Sequence, residues 1–275
     1  MNAAVLGANG FLGRNVCFSL LEKGYKVWAV YHKLAENIDN RCTIVHFDAG
    51  ELTIAIDICF ICIGGYDNTR QQFREQQEAI RNFLSRNRVG KIVYASSISV
   101  YGNHNDQIKV DTPFNNPSVY GLSKLADEFL VSSFDQYAIV RFTYLYGTGM
   151  NSNSMIPKMV ERAIKEKLVM LLGTGERCND YLHINDAADL FIKAGTSNTN
   201  ETTIGASGVS ISNREIAKLI VDRVDGCKLE LTGIDNTPSF SFDITRTTKL
   251  LEWKPMVNFI DGFSKYIHYA SSCLQ

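Results

Sequence analysis

The 275-residue chain predicts an α/β fold, a doubly wound parallel sheet layered with helices and followed by a smaller α/β carboxyl-terminal substrate cap. Three observations predict it. In the first half, short apolar runs alternate with segments of helical period, the signature of βαβ units. A glycine-spaced turn, Gly7-Ala-Asn-Gly10-Phe-Leu-Gly13, joins the first apolar run to the first helical segment. After Gly147 the alternation loosens, and loops rich in Gly, Ser and Asn separate the helical segments.

The strands are read at 3–6, 26–31, 43–47, 56–63, 91–95 and 138–142, all short and rich in Val, Ile, Phe or Tyr. Each is apolar along nearly its whole length, as strands covered on both faces must be. Between them, 11–23, 69–86 and 120–133 repeat apolar residues three and four apart and read as helices. The linker at 34–41 is short and polar. In the second half 156–166, 186–193, 213–221 and 259–269 carry the helical period. The run GTGMNSNS at 147–154 marks a boundary, with 1–150 forming the layered sheet and 151–275 mainly the cap. Some cap segments are allowed to return to the first part.

Composition narrows the partners. The chain has 28 Lys+Arg against 29 Asp+Glu, a net charge of −1, with 45% hydrophobic and 21% charged residues. That is an ordinary globular balance, and it excludes disorder. It leaves no basic surplus for phosphates, so nucleic acid is not an expected partner. Asp57 interrupts the most apolar stretch, 54–63, and no run reaches the length of a membrane span. Met1 leads straight into the first strand, so a cytoplasmic location is expected. Seven scattered cysteines suit a reducing compartment better than a disulfide framework. Cys59 and Cys62 form a C-x-x-C, but within a strand residues three apart face opposite ways. They read as buried, inert thiols.

The glycine turn carries the first chemistry. A tight turn, a close backbone approach and a helix amino terminus are what a pyrophosphate demands. Gly7, Asn9, Gly10, Phe11, Leu12 and Gly13 are therefore candidate cofactor contacts. The second strand ends in Val30-Tyr31-His32-Lys33, with no carboxylate to hold a ribose 2′-hydroxyl. Neutral or positive side chains there tolerate a 2′-phosphate. NADP(H) is accordingly expected ahead of NAD(H), with His32 and Lys33 beside it. Asp48, just past the third strand, can accept a hydrogen bond from the adenine amino group.

Tyr120 and Lys124 stand four apart, on one helix face. A nearby ammonium is expected to lower the phenol from about 10 toward working pH. Such a tyrosine can pass a proton to or from a substrate oxygen. Tyr94-Ala-Ser-Ser97-Ile-Ser99-Val-Tyr-Gly102 follows the fifth strand, at the carboxyl end where open α/β sheets bind ligands. Ser97 there can bond the same oxygen. His183 reads as a packed strand residue, and with no second ligand at metal spacing no metal site is expected.

GANGFLG (7–13), YASSISVYG (94–102), YGLSK (120–124) and IVRFTYLYGTG (139–149) together resemble the extended short-chain dehydrogenase/reductase family, of the NAD-dependent epimerase/dehydratase type. That family includes nucleotide-sugar epimerases, dehydratases and 4-keto reductases. The likeness continues through GTGERCNDYLHINDAADLF (173–191) and LLEWKP (250–255), nearly the whole chain. The resemblance implies a Rossmann-type domain holding NAD(P), with Ser97, Tyr120 and Lys124 as the catalytic set. It implies further cofactor contacts from Cys62, Ile63 and Gly64, from Ala95, Tyr120 and Lys124, and from Phe142 beside the nicotinamide. Ser97, Ser99, Tyr144 and Arg177 fall on its substrate side. Members often form homodimers through the helices matching 69–86 and 120–133.

The departures bear on substrate. Dehydratases of the family carry Thr-Asp-Glu where this chain has Ser97-Ile98-Ser99, so the acid–base pair that eliminates water is missing. Tyr144 stands where an asparagine usually grips the nucleotide diphosphate, and Asn179 where an arginine does. A further arginine is missing from 237–242. Each loss removes a strong contact to phosphate. Either Arg177, Lys158 or Arg246 substitutes, or the substrate is not a typical nucleotide sugar. The expectation is an NADP(H)-preferring oxidoreductase that reduces a keto group, most simply at C4, of a nucleotide-activated deoxysugar, with Tyr120 as general acid. Two alternatives stay open: an NAD-dependent nucleotide-sugar 4-epimerase, and a reductase of a non-nucleotide ketone or aldehyde.

Overall fold

The computed structural model describes residues 1–52, 54–64 and 69–274. Strands are numbered β1–β12 and helices α1–α8 in chain order. The main sheet is all parallel. It contains β1 (Asn2–Leu6), β2 (Lys26–Tyr31), β3 (Thr43–His46), β4 (Ile56–Ile61), β5 (Val89–Ser97), β6 (Tyr137–Phe142) and β10 (Glu201–Gly205). Their order is β10-β6-β5-β4-β1-β2-β3, so the winding reverses between β1 and β4. That reversal opens a crevice at the carboxyl ends of the central strands.

The unbroken apolar runs are explained by burial on two faces. Val5 and Phe60 face α1 (Phe11–Glu22) and α5 (Ile184–Thr196), while Leu6, Cys59 and Ile61 face the other way. The second face is covered by α2 (Arg70–Arg86) and α3 (Val119–Ser132). Both begin at side-chain caps, Thr69 accepting from the Gln72 amide and Ser118 from the Gly121 amide. Outward on α3, Val119, Leu122 and Phe129 are exposed. Cys59 and Cys62 sit on opposite sides of the sheet, and burial pushes both thiols up.

Residues past 150 divide between two bodies of structure. β10 extends the main sheet beside β6, and α5 covers it. Most of the rest forms the cap together with β7 (Tyr144–Tyr146), which comes from before the expected boundary at 150: a three-stranded sheet of β7, β9 (Cys178–His183) and β11 (Ser210–Ser212), and a two-stranded one of β8 (Leu168–Leu172) and β12 (Lys228–Thr232). Around them stand α4 (Met155–Glu166), α6 (Asn213–Val221) and α8 (Phe259–Leu274), while α7 (Thr245–Leu251) packs against β10 and α5 on the main sheet. Ile156, Val160, Leu171, Ile216, Ile220 and Phe263 form the cap core.

α4, α5, α6 and α8 match the periodicity read in the second half, but α7, at seven residues too short to show a period, and β7 to β12 do not announce themselves. β11 and β12 are short and half polar (SIS, KLELT), and β8 is apolar on its exposed side as well as its buried side. No alternation remains to read. β4 also stops at Ile61, two residues short of expectation, which leaves Cys62 and Ile63 in the turn beside the crevice. Among the described residues no helix is long and apolar enough to cross a membrane.

Candidate active site

The glycine turn builds a cradle at the end of β1. The amides of Gly7 and Ala8 both donate to the Val30 carbonyl, at 3.0 and 3.2 Å, and Gly10 donates back to Gly7 at 3.0 Å. Gly7 has φ +79°, and a Cβ there would stand 3.1 Å from the Cys62 backbone. A Cβ on Gly13 would collide with the Gly7 carbonyl. Helix α1 starts at Gly10 with no side-chain capping bond and no acidic residue in its first turn. Its leading amides are thus left for an anion, and the arrangement suits a pyrophosphate. Leu12 is buried, so only its backbone is available to a ligand. Arg14, which the motif does not single out, lies 5.5 Å over the Phe11 ring and bonds the Gly149 carbonyl. It ties α1 to the loop after β7.

The end of β2 is a cluster of rings. Tyr31 meets His46 edge-on at 5.2 Å, His32 meets Phe47 at 6.1 Å, and the His32 carbonyl is 2.9 Å from the His46 ring. Lys33 is exposed, and Asp48 lies open to solvent 3.8 Å from His46.

At the carboxyl end of β5 the chain turns through a short 3-10 segment, Ile98–Val100. Ser97 Oγ accepts from the Ser99 amide at 3.2 Å and donates to Ser99 Oγ at 3.1 Å. Gly121 lets α3 lie against this turn, because a Cβ there would strike the Ser99 carbonyl. Tyr120 and Lys124 follow on α3. Lys124 Nζ donates to the carbonyls of Ile63 and Ala95, each at 3.0 Å, and sits 4.8 Å from the Tyr94 ring centre. Burial lowers its ammonium to about 8, against the pull of Asp127. The structure therefore brings Ser97, Tyr120 and Lys124 together with Cys62, Ile63, Gly64 and Ala95.

One electrostatic expectation is corrected. Tyr120 is not lowered by Lys124: burial raises its phenol above the ordinary tyrosine value, and the bond to Ser97 pulls it back. The Lys124 ammonium is turned to its two carbonyls and stands 5.9 Å from the Tyr120 ring centre. Relief of the phenol comes from the serine.

Behind the site lies a buried ion pair that the motifs passed over. Arg141 on β6 forks onto Glu128 of α3, with Nε–Oε1 3.0 Å and Nη2–Oε2 2.7 Å. Ser96 donates to the same carboxylate, and Tyr101 bonds Arg141 at 3.0 Å. A charge inside the apolar run IVRF, matched by one on the inner stripe of the helix, was the available signal.

The substrate-side residues scatter. Tyr144 is 48% exposed, its ring 5.7 Å from that of Tyr181. Arg177 reaches the Pro238 carbonyl at 3.3 Å, and Asn179 is buried with its Oδ1 unpartnered among the described residues. Lys158 is exposed on α4. Arg246 binds Glu201, the first residue of β10, at the end of the sheet away from the cradle. That position removes it as a substitute for the missing arginines. Phe142 is buried with its ring 5.6 Å from Phe191. His183 ends β9 and caps α5, accepting from the Asn185 amide, with Tyr146 edge-on at 5.2 Å. Asp180 is wholly buried and accepts from the amides of Ser207 and Gly208 at 2.8 and 2.7 Å; burial raises it to about 6.

Comparison with known proteins gives the family and the fold. A profile of the NAD dependent epimerase/dehydratase family matches residues 3–205. The uncharacterized UDP-glucose epimerase YtcB of Bacillus subtilis is 24% identical, over 100% of this chain and 99% of its own. The GDP-6-deoxy-D-talose 4-dehydrogenase of Aggregatibacter actinomycetemcomitans is 23% identical over 81% of this chain and 80% of its own. Among solved structures, the UDP-glucose 4-epimerase of Thermotoga maritima with UDP-glucose superposes with TM-score 0.85 over 100% of both chains, at 19% identity. The doubly wound sheet with its small cap is the fold they share.

Proposed function

The chain is an enzyme of the NAD dependent epimerase/dehydratase family, and from that premise we propose that it inverts the C4 hydroxyl of a nucleotide-activated sugar, with NAD retained as cofactor. One observation carries the reading. Ser97, Tyr120 and Lys124 are gathered at the crevice, while Ile98 and Ser99 replace the acid–base pair that dehydration needs. Proton transfer at an oxygen is provided for; expulsion of water is not. The similarity to a UDP-glucose epimerase along the whole chain supports the same reading over the NADP(H)-dependent reduction expected from sequence.

A bound nicotinamide supplies an acceptor for the C4 hydride and returns it. The chain's own part is the proton. Tyr120 takes it from the 4-hydroxyl and gives it back to the 4-oxygen after the sugar has turned its other face to the cofactor, so substrate and product differ only in configuration at C4. Ser97 hydrogen-bonds that oxygen and holds the phenol in line. Lys124, with two of its three N–H groups on carbonyls, has one left for the cofactor ribose. Gly7, Gly10 and Gly13 hold the pyrophosphate against the start of α1.

The test is direct. Purified protein incubated with UDP-glucose, UDP-galactose or UDP-glucuronate, without added cofactor, should interconvert the C4 epimers by proton NMR. A second reading rests on the carboxylate-free end of β2 and on the likeness to a 4-dehydrogenase: NADPH-dependent reduction of a 4-keto sugar nucleotide. NADPH consumption on such a ketone, with no epimerisation of any of the three sugars, would overturn the first reading in favour of the second.

A further inference from the structure

Lys124 holds its positive charge in a buried place. It is 3% exposed, and its two hydrogen-bond partners are neutral carbonyls. An ammonium in such a place needs a negative charge nearby. The groups that face it are Cys62 after β4, Tyr94 on β5, and Tyr120, Asp127 and Glu128 on its own helix. Burial raises the Cys62 thiol and the Tyr94 and Tyr120 phenols, so those three are neutral. Glu128 is committed to Arg141 through both oxygens.

Asp127 is left. It is 1% exposed, one helical turn after Lys124; burial raises its carboxyl above the ordinary aspartate value, and the Tyr94 hydroxyl, the Lys124 charge and Gln76 pull it back. Its Oδ2 accepts from the Tyr94 hydroxyl and from Gln76 Nε2 of α2, both at 2.7 Å and both neutral donors. Its Oδ1 is buried without a partner, and it enters no ion pair among the described residues. Tyr94 stands between the two charges: its hydroxyl donates to the carboxylate while its ring faces the ammonium. A phenol that donates to a carboxylate has a more electron-rich ring, which strengthens the cation–π contact.

We propose that Asp127 is the counter-charge of the Lys124 ammonium, acting across Tyr94, and is thereby a positioning residue for the Tyr120–Lys124 site. Its consequence for catalysis rests on the function proposed above; the coupling of the two charges does not. A tether between α2 and α3 would need only the acceptor oxygen of residue 127, which Asn supplies equally. The charge is what distinguishes the two roles.

The experiment follows Lys124 directly. In full-length protein carrying 13C-labelled lysine, the Lys124 signal is assigned by its loss in Lys124→Met and titrated by NMR. In Asp127→Asn its midpoint should fall by about one pH unit, tenfold in proton affinity. In Tyr94→Phe, which keeps the ring but loses the bond to Asp127, it should fall by less. A Lys124 midpoint unchanged in Asp127→Asn overturns the proposal; should that variant not fold, an unchanged midpoint in Tyr94→Phe does so. NADH binding should weaken in Asp127→Asn more at pH 8 than at pH 6.5, because the alkaline loss of the ammonium comes earlier. Wild-type protein that binds no NADH would tell against the proposed function, while the midpoint shift still decides the coupling.

Discussion

Each half of the molecule buries an ionisable group whose proton affinity burial has shifted toward neutrality. In the sheet half it is Lys124, lowered by burial to about 8; in the cap it is Asp180, raised by burial to about 6. Their settings differ. Lys124 lies at the carboxyl ends of β4 and β5, beside Tyr120 and Ser97, and among the described residues keeps an N–H uncommitted. Asp180 has each oxygen taken by a backbone amide, and it closes a loop. A perturbed proton affinity marks chemistry only where geometry leaves the group something to do. The sheet half is arranged for reaction and the cap for shape, and that division can be attacked from both sides.

The severest blow to the sheet half is Gly13→Val. The new side chain must displace the Gly7 carbonyl, and with it the turn that faces the start of α1. NADH binding, followed by fluorescence, should be lost, and the melting temperature should drop by several degrees, in line with an overpacking cost of about 1–3 kcal/mol. Binding that survives would show that the cradle is not where the cofactor sits. Tyr120→Phe probes the chemistry without the scaffold. Turnover on the preferred sugar nucleotide should fall about 10²–10⁴-fold while NADH affinity stays within a factor of two. Equal losses in both would make Tyr120 a binding residue.

Substitutions in the cap should change affinity instead of rate. Arg177→Ala is expected to raise KM about tenfold with kcat unchanged, if its guanidinium replaces the arginine that Asn179 lacks. Arg246→Ala is the control, since that residue is paired with Glu201 at the far end of the sheet. A KM unmoved by Arg177→Ala would favour a substrate without a diphosphate.

The same division explains what could be read from sequence. Strands buried on both faces have to be apolar throughout, so β1, β2, β4 and β6 are plain in the chain, as is the glycine turn whose spacing a pyrophosphate imposes. Ser97 could be placed beside Tyr120 and Lys124 because it ends such a strand, β5, and they share one face of the helix-period segment that became α3. The electrostatics could not. Whether Lys124 acts on Tyr120 depends on where its ammonium points, and the carbonyls of Ile63 and Ala95 that claim it belong to loops and strands far away in sequence. Glu128 and Asp127 look like an ordinary acidic pair on a helix until α3 packs inward. In the cap, short strands bounded by polar loops have no period to detect, and Arg246 looked as eligible as Arg177 until β10 carried its partner to the other end of the sheet.

The smallest expected effect tests the cap's own buried charge. Asp180 has its carboxyl raised from 3.8 to about 6 in the folded protein. The folded state therefore binds the proton more tightly than the unfolded chain, and the stability this contributes is fully present below about pH 4. It is lost as pH rises through about 6, a change of about 3 kcal/mol for the two units involved. Asp180→Asn cannot titrate and can offer only one oxygen to the amides of Ser207 and Gly208. The advantage in melting temperature of wild type over Asp180→Asn should be greatest at about pH 4 and below and shrink between about pH 4 and 7, while kcat at pH 7.5 changes little. An advantage that grows with pH would mean that the two amides hold the ionised carboxylate more strongly than burial opposes it. A large loss of kcat would carry the reaction's machinery into the cap.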